Sequence, residues 1–299
     1  MEIKKYAAID IGSNGVRLLV SNVIVGKDDV PVFRKSALVR VPIRLGADTF
    51  EDGSISKYNA ERMCKAMKAF ELLMQIHGVE KYRACATSAM READNGQEVV
   101  DKIAKETGVR IEIIDGKTEA AIIASTDLYE LINGKKNYLY VDVGGGSTEF
   151  TFFSHGKLME SKSFKMGTVR ALDSKHDFLE AWDAAKKWVK SGVKKYSKCT
   201  IIGSGGNINK IFKLSGTKLG KPLELAYLKG QYQLLKKISY DERVRVMGLN
   251  PDRADVIVPA LKIYIAAMEW AKADRIIVPK IGLSDGIVKM LYDDSLPQL

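Results

Sequence analysis

Two short stretches of this chain follow one template, and that repetition limits the fold more than any other feature. "IDIGSNGVRL" (residues 9–18) and "VDVGGGSTEF" (residues 141–150) each read as an apolar strand, an aspartate, a small-residue turn and a second strand. Asp10 aligns with Asp142, Gly12 with Gly144, Gly15 with Ser147, and Arg17 with Glu149. Such a turn can be a plain hairpin, because glycine tolerates positive φ. It also has the composition of a phosphate cradle. Bare glycines let backbone N–H groups approach an anion, Ser147 and Thr148 add donors, and a facing carboxylate can hold a divalent cation. Two copies, each opening one half of the chain, favour a duplicated domain with a phosphate site between the halves.

The pattern around each copy supports an α/β fold. In the first half it predicts strands over 6–11, 16–25 and 32–41, then a helix over 56–77 with Met63, Met67, Phe70 and Met74 at helical spacing. A strand at 82–87, a helical run over 88–108 interrupted near Asn95-Gly96, a strand at 110–115 and a helix over 117–132 complete it. The polar "NGKKN" then marks a break. The second half begins again with strands at 138–143, 149–154 and 157–164, and helices over 167–172 and 176–191. A strand at 199–203 precedes a second glycine turn that opens a helix. Residues 218–250 read as an insertion with one helix near 228–238. One long amphipathic helix is expected over 251–273 with Pro251 at its start, then a strand at 275–279 and a helix over 283–294. The expected domains are 1–132 and 133–299, the last helix being free to pack back on the first domain.

Composition narrows the chemistry. The net charge of +10, from 47 Lys and Arg against 37 Asp and Glu, favours polyanionic partners. The densest basic run, residues 186–198, reads as a solvated helix face, and no nucleic-acid-binding motif is present. No apolar run approaches the ~20 residues of a membrane helix. The N-terminus carries no signal-peptide pattern, so the expectation is a cytoplasmic protein with no membrane and no nucleic-acid partner. Cys64, Cys85 and Cys199 are scattered, with no CxxC, which supports neither a disulfide framework nor a zinc site. His77, His155 and His176 lie outside the motifs, and no Walker-type GxxxxGK[ST] occurs.

Five motifs in order, "DIGSNGVRLLV", "ATSAMREADN", "VDVGGGSTEF", "IIGSGGNINKI" and "RADVIVPA", span nearly the whole chain. With them the sequence resembles the exopolyphosphatase / guanosine pentaphosphate phosphohydrolase family of the actin-like ATPase superfamily. The resemblance implies two ribonuclease-H-like domains with the active site in the cleft between them. It also implies hydrolysis of the terminal phosphoanhydride of inorganic polyphosphate, guanosine pentaphosphate, or both. The family's catalytic glutamate falls on Glu119 in "IDGKTEAAII", at a helix N-terminus whose dipole favours an ionised carboxylate. Arg91 would clamp phosphate beside it. The implied phosphate-binding set is Ser13, Asn14, Arg17, Gly144, Gly145, Gly146, Ser147, Gly205 and Arg253. Asp10, Asp142 and Glu149 would hold Mg²⁺ or Mn²⁺, directly or through waters.

Two positions depart from the family pattern. Gly15 stands where a serine hydroxyl is common, and Ala121 where an arginine is common, with Lys117 a candidate to replace it. Those departures keep open a non-enzymatic sensor of guanosine tetraphosphate or polyphosphate, and the shared hairpins keep open an ATP-dependent kinase of the same superfamily. Longer family members append C-terminal helical domains. This chain ends after the second domain's last helix, so weak processivity is expected of a monomer, whereas a homodimer would restore a long basic channel.

Overall fold

The computed structural model describes residues 1–26, 30–126, 132, 136–173 and 175–293. Two compact units emerge: Met1–Thr126 together with Gly282–Leu299, and Asp127–Ile281. The division drawn from the sequence at 132/133 lies beside residues 127–131 and 133–135, which are outside the described residues. The units part instead at Thr126/Asp127, and the final helix belongs to the first.

The first unit begins with three antiparallel strands, β1 (Glu2–Ile11), β2 (Val16–Val25) and β3 (Pro31–Val41). Two further strands, β4 (Lys81–Ala86) and β5 (Ile111–Ile113), add in parallel, giving the order β3-β2-β1-β4-β5. Alternation along the strands sorts the faces. Ala7, Ile9 and Ile11 join Val16, Leu18 and Val20 in one core, capped by Met63, Met67, Phe70 and Met74 of α2 (Lys57–His77). Each such side chain contributes roughly 1.5–3 kcal/mol on burial. The α2 boundaries are chemical: Ser56 accepts the Asn59 N–H at its start, and Gly78 ends it at φ 66°. Against the opposite face pack α5 (Gly116–Ala124) and α13 (Leu283–Asp293). They cross so closely that a Cβ on Gly286 would sit 2.1 Å from the Ile122 carbonyl oxygen.

The second unit repeats the plan. β6 (Asn137–Val143), β7 (Thr148–Ser154) and β8 (Lys157–Phe164) are antiparallel, and β9 (Cys199–Ser204) adds in parallel beside β6. β11 (Arg275–Ile277) follows in parallel, and a two-residue strand β10 (Leu223–Glu224) pairs antiparallel at its edge. Without β10, the order β11-β9-β6-β7-β8 mirrors the first unit, so both are ribonuclease-H-like α/β units. α7 (Lys175–Tyr196) lays Trp188 and Tyr196 against Phe152, with ring centroids 5.2 and 5.3 Å apart.

Four local expectations change. The long helix expected over 251–273 is two, α11 (Pro251–Ala254) and α12 (Ile257–Trp270). Pro259 explains the break: it cannot donate to a carbonyl a turn earlier, and restarting the helix at Ile257 places it in the first turn, where no donor is needed. A short helix, α1 (Leu45–Asp52), fills the stretch between the third strand and the 56–77 helix, to which the sequence pattern assigns no element. The 218–250 insertion holds β10 and two helices, α9 (Leu225–Lys237) and α10 (Tyr240–Arg245), the latter started by a Ser239–Glu242 capping box. The helix expected at Gly167 starts only at Arg170, as α6 (Arg170–Asp173). In the first unit, α5 ends at Ala124, and the remainder of the helix expected to reach Ile132 falls largely on residues outside the description.

Candidate active site

The aligned motifs coincide in three dimensions. Each hairpin closes with the same bond, from Gly12 N–H to the Gly15 carbonyl at 3.2 Å and from Gly144 N–H to the Ser147 carbonyl at 3.0 Å. Each places its aspartate opposite a charged residue at the equivalent position, Asp10 opposite Arg17 and Asp142 opposite Glu149.

In the second unit the segment after β8 holds the glycine turn from behind. Thr168 N–H donates to the Gly144 carbonyl at 3.0 Å, and Val169 N–H to that of Gly145 at 2.8 Å. Arg170 Nε takes the Gly146 carbonyl at 2.9 Å. A trans peptide points its N–H opposite its C=O. With three successive carbonyls turned toward residues 168–170, the N–H groups of Gly145, Gly146 and Ser147 therefore point the other way, as a nest suited to an anion. Gly167 makes this fit possible, since a Cβ there would lie 2.2 Å from the Gly145 carbonyl oxygen. Gly167 and Arg170 were not among the residues expected at the site; the sequence signal for them is only the "KMGTVR" that follows β8.

In the first unit, Ser13 is buried and its hydroxyl pairs with Ser88 of α3 (Ser88–Glu92) at 2.9 Å. Its carbonyl accepts the Gly46 N–H at 2.8 Å, which turns the Asn14 N–H the opposite way. Ladder register then builds one charged row across the sheet: Arg40, Arg17, Asp10, Cys85 and Glu112, on β3, β2, β1, β4 and β5. Arg17 Nη1 lies 3.2 Å from Asp10 Oδ2. Burial raises the Asp10 carboxyl above its ordinary value, while Arg17 and Arg40 pull it down. Burial pushes the Cys85 thiol up to about 12, and the Glu112, Asp10 and Glu119 carboxylates add to that rise. Cys85 is thus an inert thiol.

Glu119 lies in the first turn of α5, which Asp115 caps by accepting the Thr118 N–H at 2.7 Å. Arg91 Nη1 donates to the Ile114 carbonyl at 2.6 Å, and its charge helps hold the Asp115 carboxyl low, after the hydrogen bonds from Thr118. Asp10, Arg91 and Glu119 therefore gather at the carboxyl ends of the parallel strands β1, β4 and β5, where open α/β sheets present their ligands.

The equivalent row of the second unit is Ser204, Asp142, Glu149 and Ser163. Glu149 is buried, and its Oε1 accepts Ser147 Oγ at 2.6 Å and Ser163 Oγ at 2.7 Å. Gly205 begins α8 (Gly206–Leu214) at φ 118°, and a Cβ there would stand 3.4 Å from Asp142 Oδ1 and 2.8 Å from the Val143 carbonyl. Only glycine brings that helix start so near the Asp142 carboxylate. Among the described residues no cluster of three or more His, Cys, Asp or Glu side chains forms a metal cage. Asp142 and Glu149 are oxygen donors of the kind a partly hydrated Mg²⁺ takes. Arg253 lies apart from this row. It donates to the Gly206 carbonyl at 3.2 Å and lines a cavity of about 320 Å³ with Asn209, Lys210, Lys213, Gly248 and Asn250.

Residues 24–294 match the Ppx/GppA phosphatase family. The chain belongs to that family. A relative, guanosine-5'-triphosphate,3'-diphosphate pyrophosphatase of Aliivibrio fischeri, is 27% identical over 97% of this chain. The chain spans 59% of that relative's length. The crystal structure of the Aquifex aeolicus Ppx/GppA family member superposes with a TM-score of 0.76 at 26% identity, covering 99% of this chain and 100% of that one. An exopolyphosphatase structure from Cytophaga hutchinsonii gives a TM-score of 0.86 at 22% identity, over 97% of this chain and 98% of that one, and shows the shared fold. Among the described residues no helix is long and apolar enough to cross a membrane.

Proposed function

We propose that this Ppx/GppA family chain hydrolyses the terminal phosphoanhydride of guanosine pentaphosphate or of inorganic polyphosphate, with Glu119 as general base and a divalent cation required. The observation that carries this reading is the Gly145–Gly146–Ser147 nest, held open by the Thr168, Val169 and Arg170 bonds to the turn carbonyls. A nest of that kind binds phosphate oxygens with fixed dipoles that need no reorganisation.

In the proposed reaction the nest and the Asn14 amide orient phosphate groups, and Arg17 and Arg91 neutralise charge on their oxygens. Glu119 takes a proton from a water as that water attacks the terminal phosphorus. The P–O bond to the bridging oxygen breaks, and that oxygen leaves with its electron pair on the shortened chain. A divalent cation, when bound through Asp142 and substrate oxygens, would stabilise the developing negative charge. Glu149, fixed by Ser147 and Ser163, would orient solvent around it.

The basic cavity at Arg253, Lys210 and Lys213 supports a guanosine polyphosphate among the substrates, since a linear phosphate chain has no bulky end group to fill about 320 Å³. Phosphate release with Mg²⁺, measured on both compounds, tests the proposal. Release from either supports it. Tight binding with no release from either favours the sensor.

A further inference from the structure

One side chain closes off the face of Gly15. A Cβ built there would lie 2.9 Å from Arg40 Nη2, 3.1 Å from its Cζ and 3.2 Å from the Val41 carbonyl oxygen. Gly15 is not among the residues at positive φ, so the backbone does not demand glycine. Close approach does: the Arg40 guanidinium rests where a side chain at position 15 would begin. Arg40 is also the cross-strand partner of Arg17, which in turn faces Asp10. Like charges directly opposite one another weaken a ladder. Both guanidiniums act on Asp10 at the mouth of the turn.

We propose that Arg40 is an anion-binding residue of the first hairpin, contacting substrate phosphate from the place a hydroxyl at position 15 would hold. Gly15 and Arg40 then form one unit, in which a charged donor replaces a neutral one. This rests on the phosphoanhydride reading for the identity of the substrate, but not for the existence of the site. A phosphate drawn into the row would relieve the Arg17–Arg40 opposition, so binding should depend on Arg40 charge and on salt.

The test is calorimetric titration of the full chain with tripolyphosphate and Mg²⁺, with thermal midpoints recorded for every variant. Arg40→Ala should weaken binding by about ten-fold or more and flatten its salt dependence, as expected for losing a charged hydrogen bond. Arg40→Lys should retain part of the affinity. Gly15→Ser alone should weaken binding, because the new side chain displaces the guanidinium. In the Arg40→Ala background the serine meets the Val41 carbonyl oxygen at 3.2 Å, a contact relieved by a small shift, and supplies a donor, so the double variant should bind better than Arg40→Ala. Unchanged affinity in a folded Arg40→Ala protein would overturn the proposal, as would a double variant weaker than both single ones. Should Arg40→Ala fail to fold, Arg40→Lys and Gly15→Ser still decide: both at wild-type affinity overturns the proposal. A wild-type chain that binds tripolyphosphate in this pattern yet releases no phosphate from any substrate supports the Arg40 site and overturns the hydrolase reading. A wild-type chain that does not bind at all overturns both.

Discussion

Arg17 holds Asp10 from the opposite strand of the first hairpin, Nη1 to Oδ2 at 3.2 Å. The equivalent rung of the second hairpin sets Asp142 opposite Glu149 instead. One backbone plan thus sets an arginine opposite the aspartate in one unit and a glutamate opposite it in the other.

The first rung carries a pH signature. Burial dominates at Asp10 and raises its carboxyl above 3.8, against the pull of Arg17 and Arg40. A folded-state value above the unfolded one means that the native chain holds the proton more tightly. The stability from this group is then fully present below the unfolded value and declines as pH rises through the folded one. Asparagine carries no such proton. The thermal midpoint of Asp10→Asn relative to wild type should therefore climb as pH rises above about 4 and Asp10 loses its proton. A difference that stays flat or falls over that range contradicts the assignment.

Gly167 backs the Gly145–Ser147 turn proposed to bind phosphate. Its would-be Cβ lies 2.2 Å from the Gly145 carbonyl oxygen and 2.3 Å from two carbonyl carbons, all backbone atoms that cannot swing aside. Gly167→Ala should cost about 1–3 kcal/mol in stability and should weaken phosphate binding. Chemical denaturation and titration with tripolyphosphate check the two effects separately. An alanine variant with wild-type phosphate affinity would show that the nest does not depend on this contact.

Much of this was legible in the sequence because it is local. The repeated template set Asp10 against Asp142 and Arg17 against Glu149 as matching positions of two hairpins, and the strand registers place them so. Arg40 was not legible, since its place beside Gly15 depends on how β3 registers against β2, a pairing of residues 23 positions apart from Arg17. Gly167 escaped for the same reason, as it meets Gly145 only after β7 and β8 have folded back. The break between α11 and α12 was the opposite case: Pro259 was visible, and its effect on the carbonyl ladder was not weighed against a strong amphipathic pattern.

The metal proposal makes its own demand. Asp142 stands at the end of β6, beside the glycine start of α8, and neutralising it removes one full negative charge from the cation's surroundings. Asp142→Asn should need several-fold more Mg²⁺ for half-maximal activity, with smaller change in substrate KM once metal is saturating. Activity measured against Mg²⁺ concentration gives the answer, and an unshifted curve would remove Asp142 from the cation's coordination.

Glu119 offers the most direct test of the central claim. Its carboxylate is placed by a helix whose start is fixed through Asp115, and glutamine preserves its size and its capacity to accept one hydrogen bond. The measurement is single-turnover phosphate release from guanosine pentaphosphate and from polyphosphate, wild type against Glu119→Gln, with substrate affinity determined in parallel by calorimetry. The account predicts wild-type release that falls by about 10²–10⁴ in the variant, with affinity held within a few-fold. Equal release rates in the two proteins would contradict it, because the proton would then be leaving the attacking water by another route.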